Sequence, residues 1–210
     1  MKNKKLAIVG CTIVAIILVV LTVCIIILGL IGKSSQNSIN NSNNSTSTPP
    51  AANSDLATYT NTASNFQLMY SKSEWSYVEN QDNVVVIFKG PKENDTDLIA
   101  TNFNVNKFAA DSTTDVYTSV DTEIKSFSTN SAVSEYNLIS KDKLMIAGST
   151  NAVKITYTAK INGTSVKQTQ YYFVVNNTLG FVVTYTGTPT GHDKYLPDFN
   201  KIISTFQVNK

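Results

Sequence analysis

The stretch Val153-Lys154-Ile155-Thr156-Tyr157-Thr158-Ala159-Lys160-Ile161, followed by Asn162-Gly163 and by Thr164-Ser165-Val166-Lys167-Gln168-Thr169-Gln170-Tyr171-Tyr172-Phe173-Val174-Val175, decides the fold. From Val153 to Ile161 an apolar residue stands at every second position, with Lys or Thr between. Period two is that of a strand with one buried face. Asn-Gly suits a two-residue hairpin turn because both positions need positive φ, so residues 166–175 return as the antiparallel partner. Residues 176–180 make the next turn. Phe181, Val183 and Tyr185 then alternate with Val182, Thr184 and Thr186 in a third strand. Residues 151–187 thus read as an antiparallel meander.

Upstream, strands are expected at residues 66–70, 84–89 and 98–108, with 91–97 as a polar turn. Two segments repeat at helical spacing instead. Val116, Val120, Ile124 and Phe127 do so within residues 113–127, with Ser112 or Thr113 available as N-cap. Leu196, Phe199, Ile203 and Phe206 do so near the C-terminus, where Pro197 fits only in a first turn. Helices flanking an antiparallel meander make the fold class α+β, an antiparallel β-sheet sandwiched between α-helices.

Ahead of this domain, residues 6–31 read LAIVGCTIVAIILVVLTVCIIILGLI, 26 residues without a charge. At 1.5 Å per residue such a helix is about 39 Å long against a hydrocarbon core of roughly 30 Å, enough to span with some tilt. Lys2, Lys4 and Lys5 precede the run and only Lys33 follows closely, so the positive-inside rule puts residues 1–5 in the cytoplasm and the chain after 33 outside. A cleaved signal peptide has an apolar core of about 7–15 residues and a small-x-small exit; this core is longer and ends in Gly-Leu-Ile-Gly-Lys. Cys11 lies too near the start of the run for a lipoprotein site, and Cys24 follows the bulky Val23. Residues 6–32 are therefore expected to be a transmembrane signal-anchor in the lipid bilayer. Residues 33–61, rich in Ser, Asn and Thr with Pro49-Pro50, read as a flexible linker, and 62–210 as one extracytoplasmic domain.

Composition narrows the chemistry. The 210 residues include 17 Lys and no Arg, one His, one Trp and two Cys, both inside the apolar run. Outside that run there is no thiol for catalysis, zinc or a disulfide, and a single His forms no histidine pair for a metal. Without guanidinium forks, no nucleic-acid partner is expected. The formal charge of +2 divides into +3 for residues 1–55 and −1 for 56–210, so the basic excess marks topology and not a polyanion surface.

The order of these elements resembles a known family. Asn65-Phe66-Gln67-Leu68-Met69-Tyr70 followed by Trp75 resembles the opening strand and tryptophan of PsbP-like domains. Phe199-Asn200-Lys201-Ile202-Ile203-Ser204-Thr205-Phe206 resembles their closing amphipathic helix and finish. Between them Ile146-Ala147-Gly148, the Val153 strand, the Asn162-Gly163 hairpin, Tyr171-Tyr172-Phe173 and residues 181–185 follow in the family's order, so the likeness covers about residues 61–208. The family often has Pro after the Tyr of the first strand, where Ser71 stands here. The resemblance implies the Mog1/PsbP-like fold. It also implies a mostly non-enzymatic setting: a photosystem II extrinsic subunit, a nuclear-transport factor that binds a small GTPase, and bacterial surface proteins. It carries over no photosystem contact and no metal ligand.

Few residues invite a chemical role. His192, in Thr190-Gly191-His192-Asp193, is expected as an exposed loop histidine with Asp193 capping the next helix; no Gly-x-Ser-x-Gly elbow accompanies it. Glu93-Asn94-Asp95-Thr96-Asp97 lacks the ligand spacing of a calcium loop and reads as a solvated turn. Trp75 reads as core near a sheet edge. Where helices cover both sheet faces, the meander's aromatic residues are core. Where one face is open, Tyr157, Tyr171, Tyr172 and Tyr185, with His192, make a ligand or partner surface. No catalytic residue, metal or cofactor is assigned.

The function expected is that of a membrane-anchored, non-enzymatic binding or assembly module with a protein or small-molecule partner. The alternatives are a cell-surface hydrolase with dispersed carboxylates and a structural component of an envelope complex.

Overall fold

A computed structural model describes residues 55–81 and 84–209. Along them run β1 (Leu56–Asn61), β2 (Phe66–Ser71), β3 (Ser76–Gln81), β4 (Val84–Lys89), β5 (Asn102–Ala109), α1 (Val116–Thr129), β6 (Val133–Lys143), β7 (Ala152–Ile161), β8 (Thr164–Val175), β9 (Leu179–Gly187), α2 (Pro189–Ser204) and β10 (Gln207–Val208). A large sheet has the order β3-β4-β5-β9-β8-β7-β6, and a small one the order β1-β2-β10.

The meander forms as its pattern predicts. Ile161 pairs with Thr164 across Asn162 (φ 48°) and Gly163 (φ 80°), the left-handed pair of a type I′ turn. Val175 pairs with Leu179 across a loop that begins with left-handed Asn176 and Asn177. Because side chains alternate, the large sheet has two different cores. On one face Val153, Ile155, Ala159, Val174 and Val182 pack under Val116, Val120 and Phe127 of α1. On the other, aromatic rings fill the space beneath α2 and the small sheet: Phe88 stacks on Phe103 at 4.4 Å, Tyr185 on Phe199 at 4.4 Å and Phe66 on Phe206 at 4.9 Å. Offset ring pairs of this kind contribute about 0.5–1.5 kcal/mol each beyond their buried area.

Several expectations are corrected. Helices do not cover both faces alone, since α2 shares its face with β1, β2 and β10. Residues 56–61, assigned to the linker, form β1, with Tyr59 and Asn61 buried; their alternation with Thr58 and Thr60 is a strand pattern within a polar tract. The first helix starts at Val116, capped by Asp115, whose carboxylate accepts from Tyr117 N at 3.0 Å. The second starts at Pro189, capped by Thr188, so Pro197 sits in its interior and Phe206 beyond its end. The expected strand at 98–108 begins only at Asn102, with Ile99 packed under α1. Strands β3 and β6 were not anticipated by the pattern. The expected segments at 1–5 and 6–32, and most of the linker, lie outside the described residues. Among the described residues no helix is long and apolar enough to cross a membrane.

Candidate functional site

The small sheet leaves four of the six residues of β2 without a strand neighbour on one side. β10 pairs only with Phe66 and Gln67, so from Leu68 to Ser71 that edge faces the end of α2. Met69 N donates across the gap to Thr205 Oγ1 at 2.8 Å, and the Thr205 hydroxyl donates to Ile202 O at 2.7 Å. Antiparallel strands turn alternate residues to each neighbour, so Ser71 presents its backbone to the same side as Met69. Its carbonyl accepts from Trp75 N at 3.0 Å.

Between this edge and α2 lies a groove of about 310 Å³, within the size range of ligand pockets. Trp75, Tyr70 and Ile202 give it an apolar wall, and Leu56 and Met69 stand exposed at its rim. Trp75 is held by Phe103, with ring centroids 5.2 Å apart. Three carboxylates, of Asp55, Glu74 and Asp198, border the groove with a single ammonium, that of Lys201. The Asp55 carboxylate accepts from the Ser71 hydroxyl and from Ser73 N (2.8 Å), and these hydrogen bonds hold it below the usual carboxylate range. Lys201 Nζ donates to Asp198 Oδ1 at 2.8 Å, which raises the ammonium pKa. Glu74 remains exposed. The arrangement can hold an apolar group against the indole and a cationic group at the rim.

The aromatic residues singled out by sequence do not form an open surface. Tyr157, Tyr171, Tyr172, Tyr185 and His192 are all buried, because α1 covers one face and α2 the other. They also divide between faces: Tyr171, Tyr185 and His192 lie toward α2, and Tyr157 and Tyr172 toward α1. His192 is in the first turn of α2 and fully buried, not in an exposed loop, and Asp193 is not the cap. Its Nε2 lies 3.0 Å from Thr169 Oγ1 and its Nδ1 3.0 Å from Asp193 Oδ1, while Lys167 Nζ holds Asp193 at 2.7 Å. Burial lowers the His192 pKa despite that carboxylate. The neutral ring thus accepts from Thr169 and donates to Asp193. The order hydroxyl, imidazole, carboxylate is that of a catalytic triad, but Thr169 is buried in the sheet, where no substrate reaches it. The chain of bonds fastens α2 to β8.

The face under α1 is unusually polar. Asn102, Asn104 and Asn106 of β5 continue through Thr184, Thr186, Gln168 and Gln170, all buried. Glu123 of α1 points into this face, fully buried, with neither carboxyl oxygen hydrogen-bonded. Its neighbour Tyr172 spends its own hydrogen on Gln170 Oε1 at 2.6 Å. Burial raises the Glu123 pKa well above the ordinary value, and burial likewise pushes Tyr136 up to about 12. The 93–97 turn is closed by Asn94 N to Asp97 Oδ2 at 3.0 Å, and Glu93 accepts from Thr190. Among the described residues no group of His, Cys, Asp and Glu is placed to hold a metal.

Comparison with known proteins bears on this arrangement. The model of the family described as PsbP-like protein matches residues 10–208. The chain belongs to the PsbP-like family. This PsbP-like protein is similar in structure to cyanobacterial PsbP from Synechocystis sp. PCC 6803, at 15% identity and TM-score 0.55, over 78% of this chain and 98% of that one. It is also similar to LpqN of Mycobacterium tuberculosis, described as involved in cell envelope biogenesis, at 8% identity and TM-score 0.56, over 69% and 83% of the two chains. A Pseudomonas aeruginosa protein of unknown function, PA94, aligns at 16% identity and TM-score 0.50, over 71% and 94%. At these identities the likeness is one of fold. No curated protein matches in sequence. Where PsbP-like domains often carry Pro, Ser71 here puts its hydroxyl on Asp55 at the groove. The groove carboxylates escaped sequence reading because Asp55, Glu74 and Asp198 come from three separate parts of the chain. The one sequence signal was the single Trp.

Proposed function

We propose that this PsbP-like protein is a membrane-anchored, extracytoplasmic binding module whose ligand site is the groove between β2 and α2. The observation that carries the reading is the groove itself: the only Trp of the chain stands in its wall, and carboxylates border it. The anchor rests on the 26 apolar residues 6–31 and on Lys2, Lys4 and Lys5 ahead of them. With the N-terminus in the cytoplasm, the groove faces outward on a polar tether.

We infer binding and not bond cleavage from the state of the carboxylates. A glycosidase acid needs a raised pKa, whereas Asp55 is held down by the Ser71 and Ser73 donors and Asp198 is engaged by Lys201.

Photo-crosslinking in intact cells tests the site. A photoreactive residue at Met69, exposed at the groove, is expected to capture a discrete partner, and one at Thr122, exposed on α1, is not. Equal capture at both positions would overturn the groove as the site. Protease added to intact cells should remove the domain, and full resistance would overturn the topology.

A further inference from the structure

We propose that the groove takes an extended basic peptide segment, added as a short strand beside the last four residues of β2 in line with β10. This deepens the binding reading above and rests on it. Three observations meet here. The first is the edge: β10 covers only Phe66 and Gln67, which leaves the Met69 carbonyl and the Ser71 N–H on the groove side, the Ser71 carbonyl being taken by Trp75 N. An uncovered strand edge is a template for another strand. Met69 N is occupied by the side-chain hydroxyl of Thr205, so an added strand exchanges that side-chain bond for a backbone one. The uncovered stretch, four residues from Leu68 to Ser71, is about 13 Å long at strand rise.

The second observation is charge. Asp55, Glu74 and Asp198 surround the opening, with Lys201 in the lining and Lys72 near enough to act on Asp55, so three carboxylates face two ammonium groups and the rim is net negative by one charge. An incoming ammonium or guanidinium finds Glu74 exposed and Asp198 shared with a surface Lys. The third is the wall. An extended segment turns alternate side chains to opposite sides, so one set lies against Trp75, Tyr70 and Ile202 while the other reaches the carboxylates. A free amine satisfies only the charge, and an acidic peptide the edge and the wall but not the charge; a basic peptide satisfies all three.

The test uses the full-length protein in detergent micelles, reading the emission of Trp75, the only Trp in the chain. The probe is an acetylated, amidated octapeptide of alternating lysine and valine. Three controls accompany it: its glutamate–valine counterpart, the same lysine–valine peptide N-methylated at alternate amides, and spermidine. Saturable binding of the lysine–valine peptide is expected. It should weaken at least tenfold on N-methylation, and at least tenfold in the Glu74→Gln, Asp198→Asn double variant. N-methylation leaves the protein untouched, so that arm does not depend on how the variant folds. Equal binding of the glutamate peptide overturns the charge assignment. Equal binding of the N-methylated peptide or of spermidine overturns strand addition. Neither result removes the groove as a site, which the Met69 crosslink decides separately. No response of Trp75 to the lysine–valine peptide overturns the proposal.

Discussion

The indole of Trp75 lies so close over Gly90 that a Cβ at Gly90 would stand 2.7 Å from its Cζ3, 2.8 Å from Cη2 and 2.9 Å from Cε3. Real Cβ atoms do not approach that near, and the ring also packs against Phe103, with centroids 5.2 Å apart. Gly90→Ala is therefore expected to displace the indole and cost about 1–3 kcal/mol, the usual penalty of overpacking. Urea unfolding followed by Trp75 emission checks the stability. A shifted native emission maximum shows that the groove wall has moved, and an unchanged maximum with unchanged stability would contradict the packing described.

Glu123 makes stability depend on pH from inside the protein. Its folded pKa is raised by burial, while in the unfolded chain it titrates near the ordinary value of 4.5. Above that value the unfolded state has released a proton that the fold still holds. Stability from this group is thus fully present below the unfolded pKa and is lost as pH rises toward the folded one. Glu123→Gln removes the titration, so the variant should gain on wild type as pH rises above 4.5. The groups facing Glu123 are the phenols of Tyr172, with Tyr157 and Tyr136 behind it, and burial raises the pKa of Tyr172 and Tyr136. Parallel stability profiles for the two proteins would refute the assignment.

His192 acts in the opposite sense. Burial depresses its folded pKa below the ordinary value of 6.5, so on acidification the unfolded chain takes up a proton that the fold resists. Its contribution is present above pH 6.5 and falls away as pH drops through the folded pKa. Replacing it with Ala leaves Thr169 without its imidazole partner and opens a cavity. A loss of about 2–4 kcal/mol at pH 7.5 is expected. The loss should shrink toward pH 5, as read by thermal unfolding at each pH.

Lys141 holds α1 to the edge strand β6. Its Nζ donates to Tyr117 O at 2.8 Å and to Asp121 Oδ1 at 2.6 Å, and sits 3.6 Å from the Tyr117 ring centroid. Lys141→Ala should cost about 1 kcal/mol, mostly from the ring and carbonyl contacts. Asp121 is exposed on the outside of α1, so Asp121→Asn should cost less than about 0.5 kcal/mol. Equal losses in chemical denaturation would show that the ion pair dominates.

What could be read in the sequence followed from how regularly each element is buried. The strand from Ala152 to Ile161 alternates without interruption because it lies inside the sheet. Val116, Val120 and Phe127 keep helical spacing because one side of α1 meets the core. β6 is an edge strand with two register shifts and a left-handed Glu135, so its pattern never settles into period two. β1 is hidden in an Asn- and Thr-rich tract because only Tyr59 and Asn61 of it are buried. His192 looks exposed among polar neighbours, and only Thr169, 23 residues earlier, shows otherwise. The groove belongs to the same class: its parts meet only after the chain's first and last described segments pair in the small sheet.

That pairing gives the domain a load path. Asp55, the first described residue, is bolted to the turn after β2 by the Ser71 hydroxyl and Ser73 N on its carboxylate and by Lys72 N on its carbonyl at 2.9 Å. Tension arriving along the preceding chain is therefore borne first by these bonds, before β1 is strained. The same carboxylate borders the groove, so a pull that breaks the bolt also deforms the rim, and an occupant that braces the rim stiffens the joint. The joint at Asp55 and the rim of the groove are one mechanical part.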